Sequence, residues 1–146
     1  MSTENDWTHR VTVLTHRAWE AMHSNDFETA SAKIDEAFAL VNREGDEHHM
    51  AFVCLLALAA DFTLSANAEG AASLYRRCYE VAEENRSRLH MANALRGISE
   101  ADLANARREG VQDRLQAAWA LVEREPGNEA AEVRADIRQL LSALYH

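Results

Sequence analysis

The chain has 146 residues, with five glycines and one proline, and 24 acidic residues against 15 lysines and arginines give a net charge of −9. Because glycine and proline supply most tight turns, this composition excludes a barrel or sandwich of many strands. Hydrophobic residues make up 47% of the chain, which argues against disorder. The acidic balance argues against a surface for nucleic acid or for an anionic membrane.

The alanine-rich sequence predicts seven helices, since apolar residues recur at helical spacing and no segment alternates between polar and apolar residues. Candidate capping residues stand at or just before six of the helix starts: Asp6, Asp26, Asp46, Asn67, Ser87 and Asn128. The predicted single domain, 1–146, comprises helical hairpins at 7–44, 46–85 and 87–125 and a capping helix at 129–145. Short connections predict that consecutive helices are antiparallel neighbours.

The third predicted helix contains the longest apolar run of the chain, residues 50–60. The run is too short to span a bilayer. Because this helix is apolar on every side, other helices must cover most of its faces. We therefore expect it at the centre of the helical array.

The first ten residues are polar and lack the apolar core of a secretion signal, so we expect a cytoplasmic protein. Two cysteines, Cys54 and Cys78, do not make a disulfide framework, and both are expected to be buried. Lys33 is the only lysine among 15 basic residues. That bias towards arginine is typical of a GC-rich genome and favours a bacterial source.

A side-chain pattern recurs in the second, fourth and sixth helices at offsets of 41 and then 40 residues. Each copy has a small residue, a large apolar residue four positions later, a second small residue and an aromatic residue. The matching positions are Ala30, Ala71 and Val111; Ile34, Tyr75 and Leu115; Ala37, Cys78 and Ala118; Phe38, Tyr79 and Trp119. Repetition at such a period is typical of stacked helical hairpins.

Parts of this pattern resemble the tetratricopeptide repeat, over about residues 12–128. The resemblance is carried by Asp26-Phe27-Glu28-Thr29-Ala30, by Ala68-Glu69-Gly70-Ala71, by Leu95-Arg96-Gly97-Ile98 and by the turn Glu125-Pro126-Gly127-Asn128. It implies an all-α fold in which antiparallel hairpins stack as a short superhelix of about seven helices. The period here is nearer 40 than the family's 34 residues, so the helices are longer.

The resemblance also implies that the first helix of each hairpin lines a concave face. The partner-binding residues expected there are Thr15, Trp19, Met22, Val53, Leu56, Ala60, Thr63, Met91, Ala94 and Ile98. This face is apolar and lacks the basic residues with which some family members hold a peptide carboxylate. We expect its occupant to be a helix or apolar segment of a partner protein, a second protomer in a homodimer, or the chain's own last helix.

The sequence therefore predicts a non-catalytic binding protein, an adaptor, chaperone-like or regulatory module without a cofactor or metal. A small-molecule or metal-binding protein, an enzyme among them, and a homo-oligomeric scaffold are the alternatives. Glu20 and His23 match a fragment of the di-iron helix motif, but no convincing second copy follows. Asp61 and Asp102 interrupt apolar helices, and we expect each to pair with an arginine.

Overall fold

The computed structural model describes the backbone of residues 3–145 and the side chains of residues 6–145. The predicted domain also included residues 1, 2 and 146, which lie outside the described residues. The described part is all-α, as predicted, with seven helices: α1 Thr3–His23, α2 Phe27–Glu44, α3 Met50–Leu64, α4 Ala68–Glu84, α5 Arg88–Ala104, α6 Val111–Val122 and α7 Asn128–Leu144. No helix among these is both long and apolar enough to cross a membrane.

Three of the predicted helix caps are confirmed by side-chain hydrogen bonds to the first turn. A side-chain oxygen accepts a backbone N–H three residues ahead at Asp26 (3.2 Å), Asn67 (2.9 Å) and Ser87 (3.4 Å). These bonds satisfy amide groups that have no partner inside the helix. They place the starts of α2, α4 and α5.

Three other helix starts differ from the prediction. The α3 helix begins after His49, whose ring accepts the Ala51 amide at 3.0 Å. Asp46 does not cap this helix because its carboxylate closes the preceding turn on the His48 amide at 2.9 Å. The α1 helix starts before Asp6, and in α7 Asn128 is the first helical residue rather than the cap.

The helices form two layers, and the layer of odd-numbered helices positions the candidate site. Helices α1, α3, α5 and α7 lie side by side, each in contact with the next. Helices α2, α4 and α6 form the second layer, and each packs between two successive helices of the first. One face of the odd-numbered layer is therefore free of the even-numbered helices.

The core lies between the two layers, with α3 at its centre as predicted. Val53, Leu55 and Leu56 of α3 are at most 1% exposed. Three of the four recurring positions are buried in every copy: Ala30, Ala71, Val111, Ile34, Tyr75, Leu115, Ala37, Cys78 and Ala118. The aromatic fourth position is half-buried in every copy: Phe38, Tyr79 and Trp119. The repeated sequence pattern thus corresponds to a repeated packing position.

Candidate functional site

The free face of the odd-numbered helices bounds a groove with a volume of about 640 Å³. We name it the acidic groove, since its lining contains four carboxylates (Asp61, Glu129, Glu132 and Asp136) and one guanidinium group, that of Arg96. Its floor is formed by α3 and is apolar, with Ala51, Cys54, Ala57 and Leu58. The groove therefore combines an apolar base with negatively charged sides.

One wall of the acidic groove is formed by α1, which contributes the rings of His16 and Trp19 to the lining. The Trp19 indole lies between the imidazoles of His16 and His23, at centroid distances of 5.9 and 4.0 Å, and is 47% exposed. Thr12 and Thr15 continue this wall. The half-exposed Trp19 indole therefore offers aromatic surface to a groove occupant.

The opposite wall is the acidic stripe of α7. Glu129, Glu132 and Asp136 follow one another at spacings of three and four, so they lie on one side of the helix. All three are exposed, and none has an ion pair or hydrogen bond with another described residue. The sequence interpretation missed this stripe, although its spacing was visible, because the sequence did not show that α7 faces the groove.

The predicted contact residues are only partly at this groove. Thr15 and Trp19 line it. Met22, Thr63 and Met91 are half-buried and outside the lining. The rest are buried in the core and do not line the groove: Val53, Leu56, Ala60, Ala94 and Ile98.

The physical reason for this difference is a shift of one residue. On α3 and α5 the most apolar stripe packs into the core rather than facing the groove. On α3 the groove is lined by Cys54, Ala57 and Asp61, the neighbours of the predicted positions. The expectation of a wholly apolar groove is therefore corrected to an apolar floor between charged and aromatic walls.

A buried network fixes one end of the groove. The Arg96 side chain, 7% exposed, lies 2.7 Å from a Glu100 carboxylate oxygen and 3.5 Å from one of Asp61. It also donates to the Asn93 side-chain oxygen at 2.9 Å. Burial raises the pKa of Glu100, and the charge of Arg96 opposes that rise. Asp61 thus pairs with an arginine, as predicted.

Tyr75, a buried residue of α4, contacts this network from the core side. Its hydroxyl donates to an Asp61 carboxylate oxygen, and the Arg96 guanidinium lies 5.6 Å from its ring centroid. Burial raises the pKa of Tyr75 above its usual range, so the hydroxyl keeps its proton. The ring packs against the α5 backbone at Gly97, where a Cβ atom would overlap it. Gly97 therefore allows the Tyr75 side chain of α4 to pack directly on the α5 backbone.

A thiol and an imidazole meet on the groove floor. Cys54 Sγ lies 3.9 Å from His90 Nε2, and Ser87 Oγ lies 2.7 Å from His90 Nδ1. Cys54 reaches the groove surface, contrary to the prediction that it is buried. Burial raises the pKa of Cys54 and lowers that of His90, so both groups are neutral near pH 7. An activated thiol nucleophile requires the opposite shift of the thiol pKa.

The histidine and carboxylate side chains of α1 do not converge. His16 pairs with Glu20 at 3.2 Å, whereas His23 Nδ1 lies 2.9 Å from the Trp19 carbonyl oxygen. Among residues 6–145, no three His, Cys, Asp or Glu side chains are placed to share a metal ion. The di-iron alternative therefore gains no ligand set from the described residues.

The chain matches no protein-family model, no curated protein and no solved structure. The resemblance to tetratricopeptide repeats therefore stays a prediction from the internal repeat of the sequence. The acidic groove, with its apolar floor and its acidic stripe, is the candidate binding site.

Proposed function

We propose that this protein is a non-catalytic binding module, similar to tetratricopeptide proteins, that holds a cationic and partly apolar segment of a partner protein in the acidic groove. The observation that carries the proposal is the unpaired acidic stripe of α7 facing this groove. Glu129, Glu132 and Asp136 make this wall of the groove negatively charged, and a cationic ligand is complementary to that charge.

The apolar floor supports a segment rather than a free cation. Ala51, Ala57 and Leu58 offer apolar surface to a ligand, and a groove of about 640 Å³ accommodates several side chains. Lysine or arginine side chains would lie towards α7, and an apolar side chain between them would contact α3. Such a ligand uses both properties of the groove at once.

The proposal is tested with a fluorescent peptide of about twelve residues in which leucines alternate with lysines, measured by fluorescence anisotropy. We expect saturable binding that weakens as salt is added, since salt screens exposed charges. The double variant Glu132→Lys/Asp136→Lys should bind at least about tenfold more weakly.

The matched control is Glu80→Lys/Glu83→Lys, which makes the same charge change at two exposed positions of α4 outside the groove. It should bind nearly as well as the unchanged protein. Equal losses in the two double variants would show that only net charge matters and would refute the proposal. A dimer that dissociates in the Glu132→Lys/Asp136→Lys variant would instead assign the groove to a second protomer.

A further inference from the structure

A second groove lies on another face of α1, between α1 and α2, with a volume of about 390 Å³. We name it the basic groove, since among the described side chains its lining includes Arg10, Arg17 and Arg43 but only one carboxylate, that of Glu36. Val13, Leu14, Ala39 and Leu40 supply its apolar surface. It does not share a residue with the acidic groove.

The positive charge of the basic groove is only partly neutralised. Glu44 pairs with both Arg10 (3.3 Å) and Arg43 (3.2 Å), so one carboxylate serves two guanidinium groups. Arg17 has no ion pair or hydrogen bond with another described residue. Glu36 is already paired with Lys33 at 3.4 Å. A cationic surplus therefore remains here on a chain whose net charge is −9.

We propose that the basic groove binds an acidic, partly apolar segment of a partner protein. Its charge is complementary to carboxylates, and its apolar residues lie between the arginines. The strongly negative chain as a whole repels a membrane surface or a nucleic acid. A short acidic segment feels mainly the nearby arginines, because charges are screened beyond about 8 Å at physiological ionic strength.

The spacing of the arginines defines the segment further. Arg10 and Arg17 are two helical turns apart, about 10 Å along α1. A peptide in the polyproline II conformation advances about 3.1 Å per residue and presents every third side chain on the same face, so carboxylates three residues apart match this distance. The apolar side chains between those carboxylates would contact Val13 and Ala39, which are the more exposed apolar residues of the groove.

The test uses a fluorescent peptide with two glutamates three residues apart and leucines between them. Its binding to the protein is measured by fluorescence anisotropy. We expect saturable binding that weakens with salt and a loss of at least about tenfold in the variant Arg17→Glu/Arg43→Glu. A peptide of the same composition with adjacent glutamates should bind more weakly. Circular dichroism and thermal melting confirm that each variant is folded.

The matched control is Arg76→Glu/Arg124→Glu, which reverses two exposed arginines outside both grooves. Equal weakening in this control, or equal binding of both peptides, would overturn the proposal. It would also be overturned if phosphatidylserine vesicles or duplex DNA, but not the peptide, bound in a manner sensitive to Arg17→Glu/Arg43→Glu, or if that variant dissociated a dimer. The Glu132→Lys/Asp136→Lys variant should bind the acidic peptide undiminished, so failure at one groove is distinguishable from failure at the other.

Discussion

The two grooves use different faces of α1 and differ in how their charges are held. In the acidic groove, Asp61 and Arg96 belong to a network that is anchored by the buried Tyr75. In the basic groove, Arg10 and Arg43 are half exposed or more, and a single surface carboxylate restrains them. Substitutions below the acidic groove should therefore affect folding, whereas substitutions in the basic groove should affect binding alone.

The largest expected effect on stability comes from Gly97→Ala. The added methyl group would overlap the Tyr75 ring, which is fully buried and cannot move aside. We expect the free energy of unfolding to fall by about 3 kcal/mol, as in other overpacked cores. Urea denaturation measures this change.

A gain in stability on Gly97→Ala would contradict this packing. If the ring did not pack on the α5 backbone, alanine would stabilise the helix interior by about 1 kcal/mol relative to glycine. In a Tyr75→Leu background, Gly97→Ala should lower the free energy of unfolding less than it does in the unchanged protein, because the smaller side chain removes the overlap. A stabilised single variant would show that Tyr75 does not anchor the groove in this way.

An arginine-to-methionine substitution in each groove should have unequal effects on stability. Arg96→Met removes the cation that pairs with Glu100 and Asp61. We expect the free energy of unfolding to fall by about 2 kcal/mol, less than the roughly 3–5 kcal/mol for breaking a fully buried pair, because these carboxylates are partly exposed. Arg43→Met removes an exposed ion pair and should cost less than about 0.5 kcal/mol. Both values come from urea denaturation at neutral pH. Equal losses would contradict the distinction between the two grooves.

The smallest predicted effect is a pH dependence from His90 on the acidic groove floor, where Cys54, Ser87 and Glu129 face its ring. Burial lowers the pKa of His90, so the unfolded chain takes up a proton first as the pH falls below about 6.5. His90 therefore reduces stability in acid and has no such effect above that pH. Between about pH 8 and pH 5, His90→Gln should lose less in melting temperature than the unchanged protein.

The control for this measurement is an exposed histidine with the opposite shift. The hydrogen bond and charge of Glu84 raise the pKa of His48, so His48 contributes stability at acid pH that is lost as the pH rises. His48→Gln should therefore lose more in melting temperature on acidification than the unchanged protein. The same change in both variants would contradict the assignment of His90 as the buried neutral group.

The sequence predicted the helices well because their signals are local. Asp26 and Asn67 cap helices through residues three positions away, and each copy of the pattern that begins with Ala30 and Ile34 lies within one helix. The groove surface depends on which stripe of a helix packs inward, and an apolar stripe such as Val53 and Leu56 is the one that packing covers.

The walls of the site could not be predicted because they bring together distant segments. Trp19 and Asp136 bound the same groove from α1 and α7, more than a hundred positions apart in the chain. The acidic stripe of α7 is also compatible with an ordinary solvated face when it is considered alone. Only the side-by-side arrangement of the odd-numbered helices gives it a place in a groove.

The most direct test of the acidic groove as a binding site is a titration of the isotope-labelled protein with the lysine–leucine peptide, followed by amide chemical shifts. We expect saturating shifts at Cys54, Glu132 and Asp136, with little change at Arg17 and Arg43. Shifts centred instead on exposed acidic residues of α4, or spread evenly over the surface, would contradict the account.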